Sequence, residues 1–218
     1  MIKACIFDLD GTLANTLESM AYVANELLEE LGLNPQPAEN FKYYSGEGAD
    51  MLVQRFLKDA GDPELVHYEK CRNLYRQRFD ADPLYKVVPY EGIMETLAGL
   101  KNHGMKLAVC SNKPHAAAVK VIKEMFDGYF DVVLGQSDEI RKKPAPDGPL
   151  KISEEFKVSP QECMYVGDTR TDMQTGKAAG MYTVGALWGF RDREELESSG
   201  ADVIAAAPED LLHICEEN

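Results

Sequence analysis

At 218 residues the chain can bury one full-sized core plus a modest insertion more readily than two equal domains, and 44% hydrophobic content fits an ordinary globular protein. Lys and Arg total 23 against 37 Asp and Glu, a formal net charge of −14 that repels polyanions and argues against nucleic acid or anionic membrane as partners. The five scattered cysteines lack a C-x-x-C pair, and no apolar run matches a signal-peptide core or a membrane span, so a reduced, cytoplasmic chain is expected.

In chain order, the apolar run Lys3–Phe7 predicts a first strand. Leu17, Met20, Ala24, Leu27, Leu28 and Leu31 then recur at helical spacing, and Gly32 ends the run. Two more helices are predicted over Ala49–Ala60 and Glu64–Phe79, with no convincing central strand before the chain returns near Tyr85–Pro89. Ile93, Met94, Leu97 and Leu100 mark a helix stopped by Gly104, and Ala118, Val119, Ile122 and Phe126 mark another. Lys106–Cys110, Val132–Leu134, Cys163–Val166 and Tyr182–Val184 read as further short strands, with a helix at Thr171–Ala179. This alternation predicts an α/β fold, a Rossmann-like parallel sheet with helices on both faces, interrupted after its first strand by a small helical insertion. The expected division is a core of 1–15 and 88–218 and an insertion of 16–87.

Four strand ends carry polar groups. The first delivers Asp8-Leu9-Asp10-Gly11-Thr12 to the edge where open α/β sheets form ligand crevices. Residues two apart on extended backbone share a face, so Asp8 and Asp10 can converge; taken alone, the pair is equally a charged strand end before a turn. Ser111-Asn112-Lys113 offers a hydroxyl and amide donors, or an ordinary turn. Lys142-Lys143-Pro144-Ala145-Pro146 presents a lysine on backbone stiffened by prolines. Gly167-Asp168-Thr169-Arg170-Thr171-Asp172 supplies a second acidic pair, with Asp172 placed either for chemistry or as a helix cap.

In this order the motifs resemble those of the haloacid dehalogenase-like hydrolase superfamily. D-x-D-G-T matches Asp8–Thr12, the Ser/Thr motif Ser111, K-P-x-P Lys143–Pro146, and G-D-x-x-x-D Gly167–Asp172. Within the superfamily the resemblance is to the phosphoglycolate phosphatase branch, whose helical cap occupies the slot of 16–87 and whose tail resembles Trp188–Leu196.

The resemblance implies a Mg²⁺-dependent phosphatase acting on a small phosphorylated metabolite through an aspartyl-phosphate. It implies Asp8 as nucleophile, Asp10 as general acid and base, and Ser111, the Asn112 amide and Lys143 on the phosphoryl oxygens. The Asp8 carboxylate, the Asp10 carbonyl and the Asp168 carboxylate would hold the metal, with Asp172 and Thr12 supporting them. The cap loop with Tyr43, Gly46, Glu47 and Gly48 is expected to select substrate, with Lys42 and Arg55 as the nearby cations for a second anionic group. Glu47 disfavours a phosphosugar mutase, whose loop carries a basic residue. A mutase, a pyrophosphatase or nucleotidase, and a phospho-Asp receiver module stand as alternatives, and the chain is expected to be a monomer or homodimer.

Overall fold

The computed structural model describes residues 1–217. Strand β1 (Ala4–Phe7) is followed by the two-residue β2 (Ala14–Asn15) and four helices: α1 (Leu17–Glu30), the short α2 (Phe41–Tyr44), α3 (Ala49–Asp59) and α4 (Tyr68–Ala81). The chain returns through β3 (Val88–Pro89), which pairs antiparallel with β2. It continues as α5 (Ile93–Asn102), β4 (Lys106–Pro114), α6 (His115–Met125), β5 (Val132–Gln136) and α7 (Asp147–Phe156). The remaining elements are β6 (Cys163–Gly167), α8 (Arg170–Ala178), β7 (Tyr182–Ala186), α9 (Arg193–Ser198), β8 (Val203–Ala205) and α10 (Asp210–Glu217).

Six strands form one sheet in the order β5-β4-β1-β6-β7-β8, every neighbouring pair parallel, as the alternating sequence pattern predicts. Strand alternation decides which helices each side chain meets. Cys5 and Phe7 join Val109, Val166 and the apolar faces of α5 and α6, including Leu97 and Val121. Ala4 and Ile6 turn the other way, towards Tyr165 and the α7 residues Ile152 and Phe156. Each large side chain fully buried in this way contributes roughly 1.5–3 kcal/mol. Helices α1, α2, α3 and α4 gather a third apolar cluster around Leu27, Phe41, Phe56 and Tyr75, joined by Ala117 and Phe190.

Some elements differ from the sequence expectation. Helix α4 begins at Tyr68 rather than Glu64, because the Asp62 carboxylate accepts the Val66 and His67 N–H groups at 2.8 and 2.9 Å and Leu65 adopts φ 56°. Strand β4 runs beyond Cys110 to Pro114, so Ser111 and Lys113 sit on extended backbone rather than in a turn. The edge strand β8 has only three residues, too few for a periodic signal. No helix among the described residues is long and apolar enough to cross a membrane.

Candidate active site

Strand β1 lies between β4 and β6, with Phe7 opposite Val109 on one side and Val166 on the other. The residues that follow these positions therefore emerge on one rim, at the point where the sheet order reverses. The Asp8 N–H donates to the Val166 carbonyl at 2.9 Å, continuing the ladder up to the site. Lys143 reaches the same rim from the loop between β5 and α7.

Its Nζ lies 2.9 Å from Asp8 Oδ1 and 2.7 Å from Asp172 Oδ1, with all three side chains almost fully buried. Asp8 Oδ1 also accepts the Leu9 N–H at 2.7 Å. Asp168 accepts the Thr12 hydroxyl at 2.8 Å on Oδ1 and the Phe190 N–H at 2.9 Å on Oδ2. Oxygen atoms of Asp8, Asp168 and Asp172 lie within 4.8 Å of one another. Asp172 uses both oxygens: Oδ2 accepts the Thr169 N–H and hydroxyl in a capping box at the start of α8, while Oδ1 accepts from the Lys143 ammonium.

Desolvation and crowding shift the protonation of Asp8 and Asp168. Burial pushes the Asp8 carboxyl up to about 7; Lys143 opposes this, while Asp172 and Asp10 reinforce it. Burial, then Asp172 and Asp8, raise Asp168 well above the usual carboxylate range. Burial by itself would lower the Lys143 ammonium, but Asp172 and Asp8 more than reverse it and keep the lysine charged.

The Ser111 hydroxyl oxygen accepts the Lys113 N–H at 3.2 Å, leaving its own O–H to donate into the site. The Asn112 side chain is used structurally: its Oδ1 accepts the Lys143 N–H at 2.8 Å, and its Nδ2 donates to the Lys143 and Gly46 carbonyls, both at 3.1 Å. The Asp10 side chain lies outside the three-carboxylate cluster and accepts the Lys113 ammonium at 2.8 Å.

A family model described as haloacid dehalogenase-like hydrolase matches residues 5–186, a span containing Asp8, Asp10, Ser111, Asn112, Lys143, Asp168 and Asp172. The chain belongs to the haloacid dehalogenase-like hydrolases. It is 34% identical over 216 residues to a phosphoglycolate phosphatase of Aquifex aeolicus, covering 99% of this chain and 97% of that one. It is 32% identical to the Escherichia coli K12 phosphoglycolate phosphatase, covering 97% and 91%. Among solved structures, a protein from Lactobacillus delbrueckii subsp. bulgaricus superimposes with a TM-score of 0.90 at 30% identity, covering 98% of both chains. CbbY from Rhodobacter sphaeroides, solved in complex with phosphate, gives 0.79 at 26% identity, covering 97% and 96%.

In this hydrolase the loop between α2 and α3 closes against the sheet rim. Gly46 and Gly48 line a cavity of about 50 Å³ together with Asp8, Asp10, Ser111 and Asn112. Tyr43 and Glu47 do not line it; they border a separate outer cavity with Arg55, Lys142 and Arg170. Arg191 pins this loop by donating to the Lys42 and Ser45 carbonyls. The two cations that sequence reasoning offered to a second anionic group are committed elsewhere: Lys42 pairs with Glu39 at 3.6 Å, and Arg55 with Glu47. The cation lining the inner cavity is Lys113. Two residues apart on β4, Ser111 and Lys113 share a face, so the rule that groups Asp8 with Asp10 could have found it. Trp188 and Phe190 were also missed as supports; the Trp188 indole donates to the Thr12 carbonyl at 2.9 Å, beside the Phe190 bond to Asp168.

Proposed function

We propose that the chain is a Mg²⁺-dependent phosphatase of small phosphate monoesters that works through an aspartyl-phosphate on Asp8, with residues 16–87 as a cap over a core of 1–15 and 88–218. The observation carrying this reading is the buried Lys143 ammonium bridging Asp8 and Asp172, with Asp168 within reach of both. The relatives named for phosphoglycolate make that ester the first substrate to try.

The donor set fits a hard divalent cation. Asp8 and Asp168 are carboxylates raised by burial and by neighbouring carboxylates, and hydrogen bonds to Asp8 end on Oδ1 alone among the described residues. Asp172 fits less well, since Lys143 and Thr169 already use both its oxygens. Asp8, Asp168 and the Asp10 backbone carbonyl would therefore hold the ion. Bound there, Mg²⁺ would offset carboxylate charge and help hold the substrate phosphate.

The chain's own residues account for the rest. An Asp8 oxygen attacks phosphorus, the bond to the leaving oxygen breaks, and Asp10 donates the proton that oxygen needs. Asp10 then takes a proton from water as the water attacks phosphorus, and the bond to Asp8 breaks to release phosphate. The Ser111 hydroxyl and Lys143 meet the non-bridging oxygens, whose charge redistributes in a loose transition state. Asp172 holds Lys143 in place from the far side.

Asp8→Asn should lower turnover of phosphoglycolate at least ~10³-fold, and radiolabelled phosphate trapped by rapid quench should appear on Asp8 in the parent chain alone. More than trace turnover in a purified D8N preparation would contradict the assignment. A screen with glucose 1-phosphate, pyrophosphate and nucleotides separates the phosphatase from its same-fold alternatives.

A further inference from the structure

Two buried polar groups near the reacting centre have no part in the mechanism above. One is Lys113, whose side chain is 2% exposed. Among the described residues its ammonium donates one hydrogen bond, to Asp10, and it lies 4.5 Å from the centre of the Phe79 ring. An ammonium carries three donors, so this desolvated charge retains unused capacity. The other is Tyr75 of α4, 2% exposed, whose hydroxyl has no hydrogen-bond partner among the described residues. The Tyr75 and Phe79 rings stack at 5.4 Å, which places the phenol beside the ring under Lys113.

Both groups line the cavity that contains Asp8 and Asp10. Asp10 is the group that hands its proton to the departing oxygen, so whatever surrounds Asp10 meets the leaving group rather than the phosphoryl group. The cavity is small, about 50 Å³, which favours a compact leaving group. Met20, Leu52 and Phe79 supply much of its wall, so the hydroxyls of a sugar would be left without partners there. A positive charge beside an uncommitted hydroxyl donor excludes an amine and suits an anion with several acceptor lone pairs. Burial, with a contribution from Asp10, keeps the phenol protonated and hence a donor.

We infer that Lys113 and Tyr75 together receive the carboxylate of a small leaving group, so that the enzyme selects phosphorylated hydroxy acids over neutral and polyol phosphates. This rests on the phosphatase reading, and it assigns the specificity to a β4 residue and an α4 residue that line one cavity only when the helices sit on the sheet. On binding, the substrate carboxylate would share the ammonium now held by Asp10.

The test compares kcat/KM for 2-phosphoglycolate and for ethyl phosphate, which keeps the two-carbon ester and lacks the carboxylate. The parent chain should favour the acid by ~10²-fold or more, and Lys113→Met should cut that ratio ~10²-fold, chiefly through KM for the acid. Tyr75→Phe, which removes only the hydroxyl, should cut the ratio ~5–10-fold, and Lys113→Arg should retain part of it. Equal losses on both esters in K113M would overturn the inference, because Lys113 would then serve Asp10 alone. An unchanged ratio in Y75F would overturn it as well, and this variant decides the matter if K113M does not fold. Absence of turnover of either ester by the parent chain would remove the phosphatase reading and this inference with it, whereas turnover of both at equal efficiency would remove the inference alone.

Discussion

Asp8 is held under opposing demands. Burial raises its carboxyl to about 7, and the Lys143 ammonium 2.9 Å away resists that rise without cancelling it. The folded chain therefore holds a proton on Asp8 that the unfolded chain has already released between about pH 4 and 7. In that window the folded state binds more protons, so the Asp8 contribution to stability falls as pH rises and levels off above about 7. A cation bound to Asp8 and Asp168 would have to displace those protons, and its apparent affinity should rise as pH climbs through the same window. The expected outcome is a larger Mg²⁺-induced gain in melting temperature at pH 8 than at pH 5, read from thermal melts with and without the ion. A gain of equal size at both values would place the ion away from the raised carboxylates.

At the level of elements, the site depends on loops from distant parts of the chain approaching without side chains between them. Gly11 adopts φ 87°, and a Cβ there would lie 2.1 Å from Asp168 Oδ2. Gly189 answers it from the loop after β7, where a Cβ would lie 2.3 Å from the Asp168 Cβ and 2.4 Å from the Gly11 carbonyl oxygen. The second contact is with backbone, which cannot rotate aside. Gly189→Ala should therefore cost ~1–3 kcal/mol of stability and lower kcat, since the displaced loop also carries the Phe190 N–H that orients Asp168. Denaturant titration and steady-state kinetics on the same preparation check both effects; a variant with native stability and turnover would show that the loop yields freely.

Across the whole molecule, three apolar clusters divide the work. Two flank the sheet and hold the strand ends in register, while the third joins α1, α3 and α4 and reaches the rest through Ala117 and Phe190. Phe56 is fully buried in the third cluster, with its ring 6.2 Å from Phe41 and 5.9 Å from Tyr75. Phe56→Ala should cost ~3–5 kcal/mol by leaving a cavity, a large share of a typical domain stability of about 5–15 kcal/mol. If 16–87 acts as a cap in its own right, hydrogen-exchange protection should fall in α1, α3 and α4 and persist in β1, β4 and β6. Uniform loss across the sheet would instead make the chain one cooperative unit.

The sequence by itself determined the parallel α/β core, the placement of Asp8 and Asp168 directly after strands, and the family, because strand alternation and turn chemistry act over a few residues. Tertiary structure decided what these groups do to one another. Lys113 meets Asp10 across 103 positions of sequence, and Asp168 meets Thr12 across 156. Tyr75 reads from the sequence only as part of an amphipathic helix; the packing of α4 places it on the cavity wall, its hydroxyl without a partner among the described residues. Lys42 and Arg55 looked available for a substrate because their nearness along the chain was visible and their acidic partners were not. Burial, which raises Asp8, and the close approach that requires glycine at 11 and 189 both depend on elements far apart in sequence, and no local pattern encodes their distance in space.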